Sequence, residues 1–307
     1  AQGMKKLLAM AAPSLRRALA KDDMLHKTAQ LLEDSNFKRQ SKSFNRIPLI
    51  EAANSLGGPR MMLLHASAIE ESRCIPRSSD GRAVDAVDAI RGYGAHVCEI
   101  FMVSHTWCRP SLDAAVAHPD TADNSKAKAV IEFTKWRRNW VKHTHGFSNR
   151  LSGMTHSRFR PELFFWIDYS CFDQDNMACG VQLLPVWVAC CERFLRIDDP
   201  NYDSRAWCRL EPLLAAAFSF ADHQTVIRPG FVNCWPDKGR GLSARLLDPR
   251  QGRLTNAADM NKIMPLVELA EASLASSGRQ AKDIKVKCFQ LPLPQEMDTL
   301  SEEEDRN

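Results

Sequence analysis

PELFFWIDYSCFDQDNMACGVQLLPVWVACCERFLRIDDPNYDSRAWCRLEPLLAAAFSF, residues 161–220, is the stretch whose reading decides the fold. It holds two short apolar runs, Leu163-Phe164-Phe165-Trp166-Ile167 and Phe194-Leu195-Arg196-Ile197, each closed by aspartate. Aromatic and branched runs of that length, ending in acidic residues, predict buried strands whose C-terminal ends meet solvent. Between them Val181, Leu184, Val188 and Cys191 recur at helical spacing, and Pro185 starts or kinks that helix. Strand, helix, strand is the unit of a parallel sheet, which holds ligands in the loops beyond its strand C-termini. Tyr202–Glu211 follows, with Ser204 as a natural N-cap and Trp207 and Glu211 four residues apart on one helical face.

Upstream, Cys98–Val103 predicts the first strand of this sheet. It runs into Ser104-His105-Thr106-Trp107, a polar and aromatic loop suited to binding. From Asn124 onward a helix carries Ala129, Phe133, Trp136 and Trp140 as an apolar stripe, interleaved with Lys135, Arg137, Arg138 and Lys142. Basic and aromatic interleaving can bind nucleic acid. A helix that packs its tryptophans inward and turns its charges to water is the simpler account, so no nucleic-acid partner is expected. Downstream, Thr225–Ile227 predicts another strand and Phe231–Trp235 a further apolar run. Asn261–Leu274 predicts a helix. Ile284, Val286 and Cys288 alternate with lysines, as in a half-buried edge strand.

The chain of 307 residues is long enough for one large domain or two small ones. The expected division is a basic helical extension and linker over 1–94, an α/β domain over 95–277, and an edge strand with an acidic tail over 278–307. Net charge is a mild +4, but residues 1–50 hold ten Lys/Arg against four Asp/Glu. Both charged ends read as solvated termini rather than binding sites. No apolar run approaches membrane-spanning length. Ten cysteines are scattered without a C-x-x-C pair or zinc-finger spacing, which points to a reducing, intracellular compartment with neither disulfides nor zinc. The start, from Met4 to Ala20, is amphipathic, basic and free of acid. It fits either an ordinary basic helix of a cytoplasmic protein or a mitochondrial or plastid targeting segment.

Candidate chemistry concentrates at the predicted strand ends. Asp168 and Asp173 lack a third ligand and read as loop caps, so no metal is expected. Cys171 with His105 makes a weaker case for a nucleophile and base. No G-x-x-x-x-G-K-S/T or G-x-G-x-x-G loop is present to cradle phosphates.

Four motifs in order, S-H-x-W at Ser104–Trp107, W-I-D at Trp166–Asp168, Asp173-Gln174, and R-x-W-C-x-x-E at Arg205–Glu211, resemble a TIR-like domain. More narrowly, the pattern is similar to the divergent versions found in algae and other protists. It covers Cys98 to Ile227. The resemblance implies a flavodoxin-like core of parallel strands flanked by helices. It also implies one of two roles: hydrolysis of NAD at the nicotinamide–ribose bond or sensing of NAD, through Glu211, or a non-catalytic scaffold that self-associates or serves as accessory subunit of a larger assembly. No bound cofactor is implied, with NAD as the substrate. The catalytic glutamate of such enzymes falls on Glu211, with Ser104, Trp107, Asp168 and Trp207 expected to bind substrate. The residues alone support the chemistry, since cleaving an N-glycosidic bond builds positive charge that a nearby carboxylate stabilises. Two sequence features bear on Glu211. Pro212 follows it, which fits if the helix starts late, and Arg205 and Arg209 flank it, offering a structural ion pair instead.

Overall fold

A computed structural model describes residues 11–34, 45–111, 117–152, 161–173, 180–219, 223–227, 242–243, 246–277 and 285–288. The helices are α1 (Pro13–Lys21), α2 (Asp23–Glu33), α3 (Ile47–Asn54), α4 (Ala66–Ser72), α5 (Ala86–Tyr93), α6 (Ser125–Ser152), α7 (Asp168–Cys171), α8 (Leu184–Cys190), α9 (Ala206–Phe218) and α10 (Met260–Ser276). The strands are β1 (Met62–His65), β2 (Ala83–Asp85), β3 (Cys98–Ser104), β4 (Glu162–Trp166), β5 (Arg193–Ile197), β6 (His223–Ile227), β7 (Leu242–Ser243) and β8 (Lys285–Cys288).

All eight strands join one sheet in the order β2-β1-β4-β3-β5-β6-β8-β7. The run β4-β3-β5-β6-β8 is parallel throughout, while β1, β2 and β7 add antiparallel strands at its two sides. Counting only the parallel strands along the chain, their spatial order is second, first, third, fourth, fifth, which is the flavodoxin-like order. Phe101, Phe165, Leu195 and Val226, one on each of the four predicted strands, are all buried in that sheet. Strand β3 lies between β4 and β5 and is buried at every position, as a central parallel strand must be.

The chain reverses direction across the sheet after β4, so right-handed crossovers put α6 on one face and α8, α9 and α10 on the other. The packing agrees: α8 contacts α9, α9 contacts α10, and α4 contacts α6. Helix α8 starts where Pro185 allows, in its first turn, and all seven of its residues are buried. A glycine permits the aromatic packing beside it. The ring of Phe172 reaches to 2.1 Å from where a Cβ on Gly180 would sit, and stacks edge-on to Trp187 at 4.8 Å.

The segment before residue 95, expected as a helical extension, contributes β1 and β2 to the sheet, and its helices share the hydrophobic core. A buried ion pair, Arg46–Glu192 at 2.8 Å, ties it to the start of β5. The expected edge strand, β8, lies one strand in from the edge, between β6 and β7. Trp136 packs partly buried against Phe133, with ring centroids 5.7 Å apart, as expected of an inward stripe. The Trp140 side chain, Gln174, Phe231–Trp235, residues 1–10 and the acidic tail lie outside the described residues.

At the N-terminal end of the parallel strands, Glu99 takes a two-pronged bond from Arg137, both contacts 2.7 Å, and a third from Arg193 at 2.7 Å. Its carboxyl is pulled upward by burial, but the two guanidiniums win and hold it below the usual range. That end is charge-saturated and structural. The C-terminal end is different.

Candidate functional site

Between β3 and β5 the sheet's connections diverge to opposite faces, opening a crevice beyond the strand C-termini. Three strand ends deliver the polar side chains of the site. β3 supplies Ser104 and the loop His105-Thr106-Trp107, β4 leads into Asp168, and β5 leads into Asp198 and Asp199. Helix α9 brings Glu211 over the same end.

Ser104 is fully buried and donates its hydroxyl proton to Glu211 Oε2. With that proton committed, the second contact of Ser104 Oγ, to the buried Tyr202 hydroxyl, is accepted from Tyr202. Tyr202, Ser104 and Glu211 therefore form a hydrogen-bonded chain ending at the carboxyl. The Arg196 guanidinium lies 3.9 Å above the Tyr202 ring and anchors it.

Asp168 is held from three directions. His105 Nε2 lies 3.1 Å from Oδ1, the Trp107 indole N–H donates to Oδ2 at 2.9 Å, and the Tyr169 backbone N–H donates to Oδ1 at 2.6 Å. The other His105 nitrogen faces the Thr106 carbonyl at 2.9 Å. Trp107 is also fixed edge-on against Tyr169, centroids 5.4 Å apart.

The two carboxyls are pushed in opposite directions. Crowding by protein raises Glu211 from about 4.5 to about 8, the Asp168 charge adds to the rise, and the Ser104 hydrogen bond only partly offsets both. Asp168 also suffers burial, but His105 and the bonds from Trp107 and Tyr169 bring it below the ordinary aspartate range. Neither side chain is sealed off: Glu211 is half-buried and Asp168 keeps 27% of its side-chain surface exposed. Two nearby carboxyls with divergent proton affinities, in a solvent-reached crevice, form an arrangement able to take up and release a proton near neutral pH.

A cavity of about 530 Å³ adjoins the loop after β3, lined among others by Thr106, Trp107, Lys126, Asp199, Arg205 and Arg253. Glu211 is not on its wall. Lys126 is almost wholly buried and is held by the Thr106 carbonyl, by Thr106 Oγ1 at 2.9 Å, and by Asp199 at 3.6 Å. Asp199 also accepts from the Thr106 hydroxyl. Lys126 is aimed there because Asp120 caps α6, taking the Lys126 and Ala127 N–H groups at 2.9 and 2.8 Å.

Four of the five sequence-predicted site residues, Ser104, Trp107, Asp168 and Glu211, meet at this end of the sheet. Trp207 does not join them: its indole N–H turns to Asp259 at 3.2 Å. Ser204 is not the N-cap of α9. Arg205 is, and the Ser204 hydroxyl bonds back to the Asn201 carbonyl at 2.7 Å. The helix does not start late either, and Pro212 lies in its interior, leaving the Cys208 carbonyl without its usual helical donor. Neither flanking arginine pairs with Glu211. Arg205 donates to Thr255 at 2.9 Å, and Arg209 to the Asp203 and Asp248 carbonyls at 2.6 and 2.9 Å.

The Cys171–His105 pair is not formed, since Cys171 bonds to the Phe165 carbonyl at 3.6 Å and burial pushes its thiol up to about 12. Asp173 is exposed. Among the described residues, no group of three or more His, Cys, Asp or Glu side chains is arranged for a metal ion. No helix among them is long and apolar enough to cross a membrane.

No protein-family model, curated protein or solved structure matches this chain. Thr106 lies in the loop expected to bind, whereas Tyr202, Lys126 and Asp199 were not among the expected site residues, although the paired aspartates closing β5 marked a third strand end.

Proposed function

We propose that the crevice cleaves an N-glycosidic bond, that of NAD between nicotinamide and ribose, as the TIR-like motifs imply, with Glu211 as the catalytic carboxylate. One observation carries the reading. Glu211 is raised to about 8, has no arginine partner among the described residues, and is bonded to a buried hydroxyl at the switch point of the sheet. Arg205 and Arg209, the flanking candidates for a structural ion pair, both turn to other partners.

In the reaction the bond between ribose C1′ and the pyridinium nitrogen breaks, and its electron pair leaves with neutral nicotinamide. Positive charge gathers on the ribose, where ionised Glu211 stabilises it. Water then adds to C1′ and gives its proton to the same carboxylate, whose affinity near neutral pH suits a base. The cationic pyridinium of the bound substrate favours the ionised form of Glu211, so the high value in the free protein does not forbid the role. Ser104 and Tyr202 orient the carboxylate, while Asp168 holds Trp107 at the edge of the crevice.

The test is to incubate the full chain with NAD and separate free nicotinamide. Glu211→Gln lowers its release by about a hundredfold or more, on the order of 3 kcal/mol in the barrier. An absence of release from the unsubstituted chain removes this reading and leaves the non-catalytic interaction module, alone or in a larger assembly.

A further inference from the structure

The cavity beside Trp107 carries a charge imbalance that the reaction does not use. Of the acids on its wall, Asp199 is neutralised by Lys126, and Asp198 is gripped by Arg196 at 2.5 Å. Arg205 and Arg253 remain on the same wall. Arg205 donates to the Thr255 hydroxyl at 2.9 Å and Arg253 to the Ser204 hydroxyl at 3.0 Å. Among the described residues neither has a carboxylate partner.

The fold holds the backbones of these two residues together. Their backbones form a bridge, with Ala206 N–H donating to the Arg253 carbonyl at 3.0 Å and Arg253 N–H to the Ser204 carbonyl at 2.7 Å. That approach depends on the glycine before Arg253. A Cβ at Gly252 would lie 2.4 Å from Ala206 Cα and from its nitrogen, so only glycine lets the segment dock. Two guanidinium-bearing residues on one concave wall suit an anion with several oxygens.

We propose that Arg205 and Arg253 form a diphosphate-binding subsite, taking the diphosphate of a nucleotide whose sugar points toward Trp107 and Glu211. Arg205 directly precedes α9 and Glu211 is six residues further on, a rise of about 9 Å along the helix axis. A nucleoside diphosphate bridges such a gap. The proposal rests on the nucleotide reading above for its ligand, and on the arginine pair alone for its location.

The test is calorimetric titration of the full chain with inorganic pyrophosphate, ADP and adenosine, at low and at high salt. Pyrophosphate and ADP bind and adenosine does not, and high salt weakens both interactions. Arg205→Gln and Arg253→Gln, which keep a hydrogen-bonding amide in place of each guanidinium, each weaken pyrophosphate by about tenfold or more. Unchanged thermal melting shows that the loss is not misfolding. If ADP binds but pyrophosphate does not, or if the double Gln variant binds pyrophosphate as tightly as the unsubstituted chain, the subsite is overturned. Failure to bind any of the three overturns it as well. Arginine-dependent pyrophosphate binding without NAD cleavage sinks the hydrolysis and spares the subsite. Cleavage of NAD unaffected by both substitutions does the reverse.

Discussion

Replacing Glu211 by Gln stabilises the protein at neutral pH. The carboxyl is raised on folding from about 4.5 to about 8, so the native state binds its proton more tightly than the unfolded chain does. Its stability is therefore fully present below the unfolded value and declines as pH rises toward the folded one. At pH 7 the decline spans about 2.5 pH units above the unfolded value, at about 1.4 kcal/mol each, so it has reached roughly 3 kcal/mol. Partial solvent contact of the side chain reduces this to about 2 kcal/mol. Glutamine has the shape of the protonated acid and can accept from Ser104, yet never ionises. Urea unfolding of both proteins at about pH 4.5, 7 and 8.5 reads the difference as a shift in midpoint at constant slope. The two curves coincide at the acid end, and the Gln variant gains by about 2 kcal/mol at neutral pH. A variant less stable than the unsubstituted chain at pH 7 refutes the reasoning, because it means that Glu211 is ionised and structurally paired.

Asp168→Asn removes the charge that adds to the rise at Glu211, so Glu211 titrates at lower pH. Carboxyl carbon NMR follows this directly, and a titration unmoved or shifted upward contradicts the proximity of the two groups. Glu99→Gln leaves Arg137 and Arg193 without their shared carboxylate and costs about 3 kcal/mol at neutral pH, read by denaturant unfolding. Because Glu99 is held below its ordinary range, that loss fades as pH falls through the carboxylate range, the opposite sense to Glu211. Gly180→Ala drives a methyl into the Phe172 ring and costs about 1–3 kcal/mol, with a melting temperature equal to the unsubstituted chain as the contrary result.

The parallel core was legible because each central strand is a short aromatic or branched run, and two of them are closed by aspartate. Burial on both faces leaves no polar alternation to misread, as along β3. Strands β1 and β2 were hidden because they are only four and three residues long, and β1 joins the parallel core through a contact distant in sequence, Leu64 with Phe165. The late helix start inferred from Pro212 failed because tertiary packing overrides a local rule. Cys208, Leu210, Pro212, Leu213 and Leu214 are all buried, which offsets one missing helical bond. Ser104, Asp168 and Glu211 could be placed together once the strand ends were known. Lys126 and Arg253 could not, since one reaches the crevice through the cap of α6 and the other through a backbone bridge to Arg205.

The initial rate of nicotinamide release from NAD, followed from about pH 6 to about pH 9.5, tests the role of Glu211 most directly. For the free protein, kcat/KM rises with pH and levels off above about 8, where the Glu211 carboxyl of the unliganded site becomes ionised. The inflection in kcat lies lower, because the pyridinium charge favours the ionised carboxylate. In Glu211→Gln the residual rate loses this rise. A rate that falls through pH 8, stays flat across the range, or is absent altogether contradicts a catalytic carboxylate at Glu211.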